Sequence, residues 1–387
     1  MPTKLLVVDD EPDLELLIRQ KFRKQIREKD FEFVFAHNGV EALEKLRADR
    51  EIDIVLSDIN MPEMDGLTLL SELKEFGPVL KAVIVSAYGD MENIRTAMNR
   101  GAFDFLTKPI DFRDLEVTVD KTLRELMTLK EALVAHSQLV SIQQELKVAS
   151  YIQHSILPRT FPPFPGRRDF DLNAQMIPAK EVGGDFYDFF LIDQERLGFV
   201  IGDVSGKGVP AAIFMAMSRS FLKMTALKGV SPSDCLQDVN RALCSENESS
   251  MFVSIFYGIL HTRSGEVEYS VGGHFPPYRL RLTGGAEAVE TTGGIVLGAI
   301  ESARYECKRI LLQPGEGLVL YTDGVTGAMD ENENLFSEHR LKELLEAAKH
   351  ASPEDLIRGL VREVRAFSAG TPQSDDITVL ALRYLGQ

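Results

Sequence analysis

Cysteine is scarce in this chain: Cys235, Cys244 and Cys307 are the whole complement of 387 residues, an odd count with no Cys-x-x-Cys spacing. A disulfide framework is not expected from them. No apolar run is long enough to span a bilayer, and the opening MPTKLLVVDDEPD has no signal-peptide core, so the expected setting is a reducing cytoplasm, with no membrane partner. Positive charge is in deficit as well. Lys and Arg number 43 against 59 Asp and Glu, a formal net charge of -16. That balance argues against a nucleic acid held on a basic face and favours a protein partner or a small anion.

What is present is acidic residues beside apolar runs. In the first 115 residues five short runs, KLLVVDD, FEFVFA, IDIVLSD, AVIVSA and DFLTKP, alternate with amphipathic stretches. This predicts an α/β domain, a doubly wound, five-stranded parallel sheet with helices on both faces. In such a sheet a ligand site forms beyond the carboxyl ends of the strands. Asp9 and Asp10 follow the first strand, Asp58 the third, Ser86 the fourth and Lys108 the fifth, so they are expected to converge. Three carboxylates at one edge repel unless a cation such as Mg²⁺ offsets them, and a nearby lysine and hydroxyl can then hold a phosphoryl group. An aspartate can itself accept that group. A lone Asp of this kind is more often a helix cap or a strand-end turn; five matching residues at four strand ends outweigh that.

The motifs VVDDEPD, LSDINMPEMDG, VSAYGD and FLTKPI resemble the receiver domain of two-component response regulators over residues 1 to 120. The resemblance implies that Asp58 is the phosphoacceptor, that Asp9, Asp10, Asp58 and the Asn60 carbonyl bind Mg²⁺, that Ser86 is the switch hydroxyl and that Lys108 pairs with the phosphate. Phe105 stands at the switch-aromatic position, where a plain core aromatic is an equal reading. The implied donor is a histidine kinase or phosphotransfer protein.

From about Leu115 to Ile156 there is neither Gly nor Pro, which predicts one long helix. Apolar or small residues recur at Val119, Leu126, Leu133 and Val140, then at Leu139, Leu146, Ile142, Ala149 and Ile156, so a coiled-coil seam slips near His136 to Ile142. The seam must be covered, either by the same helix of a second chain, giving a homodimer, or by the chain's own domains. His136 and His154 read as seam or surface residues. A linker at 121–157 therefore separates a domain at 1–120 from one at 158–387, entered through the Pro- and Arg-rich stretch Arg159–Asp169.

Beyond it, strand-like runs (LGFVIGDV, MFVSIFYGIL, EVEYSVGG, PYRLRL, EGLVLYTDG, ITVLALRYL) are interrupted by helical stretches near Ala211–Lys228, Pro232–Cys244, Glu338–His350 and Pro353–Ser368, which predicts an α+β layered domain. Four acidic stations lie at the ends of apolar runs: Asp185, Asp203, Asp323, and Asp375 with Asp376. Hard divalent cations need several carboxylates at one point, so a metal-dependent hydrolase is expected. Taken alone, Asp323-Gly324 reads as a hairpin turn. The one Cys-x5-Arg spacing, Cys235 to Arg241, falls inside the helical stretch Pro232–Cys244 and not in a loop, which disfavours a cysteine phosphatase.

IQHSILP, PAKEVGGDFYD, GDVSGKGVPAA, LYTDGVTGA and SDDITVLAL resemble the bacterial PPM-type (protein phosphatase 2C-like) serine/threonine phosphatases of the SpoIIE/RsbU group, from about Leu146 onward. The resemblance implies a sandwich of two antiparallel sheets flanked by helices, with two Mg²⁺ or Mn²⁺ held by Asp185, Asp203, the Val204 carbonyl, Asp323 and Asp375, Asp376 being the less certain neighbour; Asp185 and Asp203 are the catalytic pair. It also implies a phosphorylated Ser/Thr protein as substrate, an anti-sigma-factor antagonist of the STAS type. Gly273-His274-Phe275-Pro276-Pro277 and Gly294 to Gly298 depart from the family's usual GHNPP and GLPLG. His274 reads as structural, while Lys180 and Lys207 could meet the substrate phosphate or simply be solvated. A non-enzymatic sigma-factor adaptor of the RssB type shares the two-domain plan, but intact acidic stations argue against it; a purely structural dimer scaffold leaves both acid clusters unexplained.

Overall fold

A computed structural model describes residues 2–386 apart from Tyr88, Glu248 and Ser249, so the tyrosine of the VSAYGD motif lies outside the described residues. The chain divides into two compact units, Met1–Ile142 and Gln143–Gln387.

In the first unit β1 (Thr3–Val8), β2 (Phe31–Ala36), β3 (Ile52–Asp58), β4 (Lys81–Ala87) and β5 (Asp104–Lys108) form a parallel sheet in the order β2-β1-β3-β4-β5. Helices cover both faces, so the central strands are apolar on both sides rather than alternating. Leu6, Val8, Val55 and Ile84 enter one core, while Leu5, Val7, Ile54, Leu56 and Val83 enter the other. The turns are capped by the residue types their chemistry requires: Asn38 accepts from the Glu41 amide at 2.8 Å and Asp65 from the Thr68 amide at 2.6 Å.

The Gly- and Pro-free stretch is a single helix, Phe112–Ile156, of 45 residues. Its expected seam divides into two parts. Val119 and Leu126 are buried, Val119 within the core of the first unit, whereas Leu133, Leu139, Val140 and Ile142 are exposed. The first part of the stripe therefore serves its own domain, and the second leaves apolar side chains bare.

In the second unit β6 (Phe170–Ile177), β7 (Phe186–Leu191), β8 (Arg196–Val204), β9 (Val253–His261), β10 (Glu266–Gly272), β11 (Tyr278–Leu280), β12 (Ala286–Ala288), β13 (Lys308–Leu311), β14 (Gly317–Tyr321) and β15 (Ile377–Tyr384) form two antiparallel sheets, β13-β10-β9-β8-β7 and β12-β11-β14-β15-β6. Phe199 and Ile201 of the first meet Leu318 and Leu380 of the second in one core. Side chains of alternate register, Val319, Tyr321 and Val379, pack instead on Leu341, Leu356 and Leu360 of helices Ser337–Ala347 and Pro353–Phe367. Helices Val209–Ala226 and Pro232–Ser245 lie on the other sheet. The predicted helices are all found, with ends moved by a few residues. Strands β6, β7, β12 and β13 were not singled out by sequence; β7 in particular is buried along five of its six residues and shows no alternation. Asp323-Gly324 does not form a hairpin turn: Asp323 opens one helical turn, Asp323–Thr326, directly after β14.

Candidate functional site

In the first unit β1, β3, β4 and β5 follow one another in the sheet and present the polar residues at their carboxyl ends along one edge. Carboxylate oxygens of Asp9, Asp10 and Asp58 lie within 4.8 Å of one another. Asp9 and Asp58 are buried and Asp10 is exposed. The Lys108 ammonium, from the end of β5, lies 2.8 Å from Asp58 Oδ2, 3.1 Å from Asp9 Oδ2 and 3.3 Å from Glu11 Oε1. Burial works against its charge, yet the carboxylates of Asp58 and Asp9 hold its pKa above the ordinary lysine value. Burial likewise raises Asp9, against the pull of the Glu11 amide and Lys108. Asp58 Oδ1 accepts from the Ile59 amide at 2.8 Å, leaving Oδ2 toward Lys108. The loop holding Asn60 folds back so tightly that a Cβ on Gly66 would stand 2.1 Å from the Asp58 carbonyl. Ser86 is buried at the end of β4, with its hydroxyl 3.4 Å from Asp90. Phe105 on β5 is 38% exposed, so it is not a core aromatic. An all-oxygen donor set with one exposed carboxylate suits a hard cation such as Mg²⁺.

In the second unit the stations arrive from both sheets. Asp203 lies near the end of β8, Asp185 just before β7, Asp323 just after β14, and Asp375 and Asp376 just before β15. Their mutual proximity registers in their acidities. Asp203 is pushed from 3.8 to about 7 by burial and then by Asp323. Asp185 stands well above the usual carboxylate range, by burial and then by Asp203 and Asp376. Asp323 is raised by burial and by Asp375. Buried carboxylates that repel one another in this way form an oxygen-rich set that divalent cations would relieve. The Val204 carbonyl borders the set, since a Cβ on Gly184 would sit 2.8 Å from it.

Around the carboxylates stand residues that aim them. Thr322 donates from Oγ1 to Asp185 Oδ2 at 2.7 Å, and the same hydroxyl accepts from the Thr378 amide at 3.1 Å. Asp376 behaves differently from the other stations. Its Oδ1 accepts from the Ala179 amide at 2.7 Å and its Oδ2 from the Gly184 and Asp185 amides at 2.7 and 3.3 Å. Both oxygens are thus turned to main chain, which makes Asp376 an organiser of the Asp185 loop and removes it from the expected ligand set. Lys207 lies 2.9 Å from Asp375 Oδ2, whereas Lys180 is exposed in the loop before Asp185. His274 is buried with its pKa pushed down to about 4 by that burial. Among the two linker histidines His136 is exposed, and His154 Nδ1 faces the Ser150 carbonyl at 3.1 Å.

Two functional contacts escaped sequence reasoning. Thr322 was passed over as part of a strand. Gln153, inside the quoted IQHSILP motif, is buried on the long helix and pairs twice with Gly183: its Nε2 donates to the Gly183 carbonyl at 2.6 Å and its Oε1 accepts from the Gly183 amide at 3.0 Å. A glutamine in an otherwise apolar helical register was the available signal.

Comparison with known proteins agrees with this division. Residues 5–120 match the family model "Response regulator receiver domain" and residues 193–385 match "Stage II sporulation protein E (SpoIIE)". Protein IcfG of Synechocystis is 32% identical over 268 residues, spanning 62% of this chain and 41% of that protein. Phosphoserine phosphatase RsbU of Bacillus subtilis is 29% identical over 252 residues, spanning 64% of this chain and 73% of that protein. The chain thus spans less than half of the one relative and about three quarters of the other. The SiaA-PP2C domain of Pseudomonas aeruginosa superposes with a TM-score of 0.57 at 22% identity, covering 64% of this chain and 98% of that one, a likeness of fold. The chain therefore joins a response-regulator receiver domain to a SpoIIE-type PPM phosphatase domain.

Proposed function

We propose that the protein is a response regulator that receives phosphate on Asp58 and whose output is metal-dependent hydrolysis of phosphoserine or phosphothreonine in a partner protein. The observation that carries this is the convergence of Asp185, Asp203 and Asp323 from two sheets, with the pKa values of all three raised by burial and by neighbouring carboxylates. Asp185, Asp203, the Val204 carbonyl, Asp323 and Asp375 would hold two Mg²⁺ or Mn²⁺, and Asp9, Asp10, Asp58 and the Asn60 carbonyl one Mg²⁺. When bound, the cations supply Lewis acidity and offset the charge that develops on phosphorus.

The chain's own residues set the conditions for that chemistry. Thr322 fixes the Asp185 carboxylate by donating to Oδ2. Asp376 gathers the amides of Ala179, Gly184 and Asp185 and so shapes the loop. Lys207, at the rim beside Asp375, is placed to meet a substrate phosphate. In the receiver Lys108 faces Asp58 and neutralises the added phosphoryl group, and Ser86 is the hydroxyl beside it.

A histidine kinase or phosphotransfer protein is the expected donor. The substrate reading follows the similarity to RsbU, a phosphoserine phosphatase, and an anti-sigma-factor antagonist of the STAS type fits it. The exposed apolar residues from Leu133 to Ile142 suit a homodimer through the long helix. A phosphoserine protein incubated with full-length protein and Mn²⁺, with and without beryllofluoride, tests the reading. Phosphate release that changes when beryllofluoride is added supports it; a folded, Mn²⁺-loaded protein that releases none from any phosphoserine substrate turns it toward the adaptor.

A further inference from the structure

The second unit draws Asp203 and Asp323 from different sheets, and one buried imidazole joins β9, the strand paired with that of Asp203, to β14, the strand that leads to Asp323. Asp203 pairs directly with Ser254 of β9 in antiparallel register, so the two side chains leave the sheet on the same face. The Ser254 hydroxyl lies 2.7 Å from Nδ1 of His274. Nε2 of the same ring lies 3.2 Å from the main-chain oxygen of Tyr321, two residues before Asp323. A carbonyl only accepts, so Nε2 carries the proton, Nδ1 accepts and Ser254 donates. The ring is thereby fixed in one tautomer between β9 and the end of β14. Its chain segment is also pinned: Phe275 stacks on Tyr321 with ring centroids 6.0 Å apart, and Gly273, at φ +70°, leaves no room for a Cβ, which would stand 2.8 Å from the Val296 amide nitrogen.

A histidine buried only to fill a core would have partners anywhere in it. One partner of His274, Ser254, stands on β9 directly opposite Asp203 of β8, and the other, Tyr321, ends β14 two residues before Asp323. We propose that His274 is a positioning residue, a strut between the two sheets that sets the separation of Asp203 and Asp323 and through it the affinity of the site for divalent cations. This rests on the reading of those carboxylates as cation ligands. Hard cations accept oxygen ligands only within a narrow range of distance, and outer partners that orient ligands typically change metal affinity by about 10- to 100-fold when removed.

The test is calorimetric titration of Mn²⁺, without substrate, into full-length protein carrying Asp10→Asn to silence the receiver site. Four versions are compared: the parent, His274→Ala, His274→Gln and Ser254→Ala. Glutamine keeps a donor near the position of Nε2–H and loses the bond to Ser254. Mn²⁺ affinity is expected to fall about tenfold or more in Ser254→Ala and further in His274→Ala, with His274→Gln between the two. The thermal midpoint of metal-free Ser254→Ala should stay close to that of the parent. Parental Mn²⁺ affinity in folded Ser254→Ala and His274→Gln overturns the strut, and these two decide the matter even if His274→Ala does not fold. A parent that binds no Mn²⁺ overturns both the strut and the metal reading. A parent that binds Mn²⁺ but hydrolyses no phosphoserine protein defeats the enzymatic reading alone and leaves the strut to be judged on affinity.

Discussion

The chain holds two acidic sites built on different plans. In the receiver the carboxylates come from neighbouring ends of one parallel sheet, and a lysine of the same sheet, Lys108, reaches Asp9, Glu11 and Asp58 together. In the phosphatase domain the carboxylates come from two sheets, and the lysine nearby, Lys207, sits at the rim on Asp375. The first site therefore carries its own positive charge at its centre, although burial still raises the pKa of Asp9, whereas in the second both inner carboxylates, Asp185 and Asp203, keep raised pKa values. This difference matches the two tasks. A phosphoacceptor must remain a nucleophile and later stabilise the phosphoryl group it has gained, which a permanent cation can do. A hydrolytic centre must bring its charge with exchangeable cations, and its fold has to hold repelling ligands ready for them.

The comparison is broken most sharply at Asp58. After treatment with acetyl phosphate and Mg²⁺, mass spectrometry should find one phosphoryl group on wild-type protein and none on Asp58→Asn; a label that survives the substitution would move the acceptor elsewhere. Next in size is the hydrolytic centre. Asp203→Ala or Asp323→Ala should slow Mn²⁺-dependent release of phosphate from a phosphoserine protein by at least about a hundredfold. Circular dichroism should be unchanged, and acetyl phosphate labelling at Asp58 should persist. Undiminished turnover would show that the second cluster is not the catalytic one.

How legible these sites were depended on how local their construction is. Asp9, Asp58, Ser86 and Lys108 each end a strand of one parallel sheet, so strand order and the rule for such sheets suffice to bring them together. Asp185 and Asp323 lie on separate sheets, and no periodicity in the chain states that their strands face each other. Only the motif resemblance joined them. Asp376 was misplaced because adjacent aspartates look alike in sequence, and three main-chain amides distinguish it from Asp375. Thr322 and Gln153 were invisible as site residues, since their contacts come from partners distant in sequence. The long helix was plain from its lack of Gly and Pro, but the division of its stripe was not, because the same spacing serves a helix's own domain or a partner.

A smaller effect tests whether the second cluster is short of positive charge. With its pKa pushed from 3.8 to about 7, Asp203 binds a proton in the folded, metal-free protein that the unfolded chain does not bind at the same pH. That contribution to stability is fully present below the ordinary carboxylate value and is lost as pH rises through about 7. Metal-free protein should therefore lose thermal stability as pH rises from about 4 to about 7, the window between the ordinary and the raised value, and Asp203→Asn should flatten the dependence. The same proton competes with metal, so Mn²⁺ affinity should drop by up to about tenfold per pH unit on the acid side. A pH-independent affinity would mean that Asp203 is already ionised and that its neighbours do not repel it.

The smallest expected effect concerns the rim lysine, where the two sites come closest to sharing a plan. The Lys207 ammonium is 2.9 Å from Asp375 Oδ2 and 42% exposed, so water weakens the pair to under about 1 kcal/mol. If Lys207 partly fills the place of a cation, Lys207→Met should tighten Mn²⁺ binding by no more than about fivefold, the factor that such an energy allows. If it also meets the substrate, KM for a phosphoserine protein should rise by a similar factor while kcat at saturating Mn²⁺ holds. Calorimetry without substrate and steady-state kinetics with it separate the two. Mn²⁺ binding weakened by Lys207→Met would mean that the lysine orders Asp375 for the metal, and Lys207 would then resemble a ligand-orienting residue more than the built-in cation that Lys108 is.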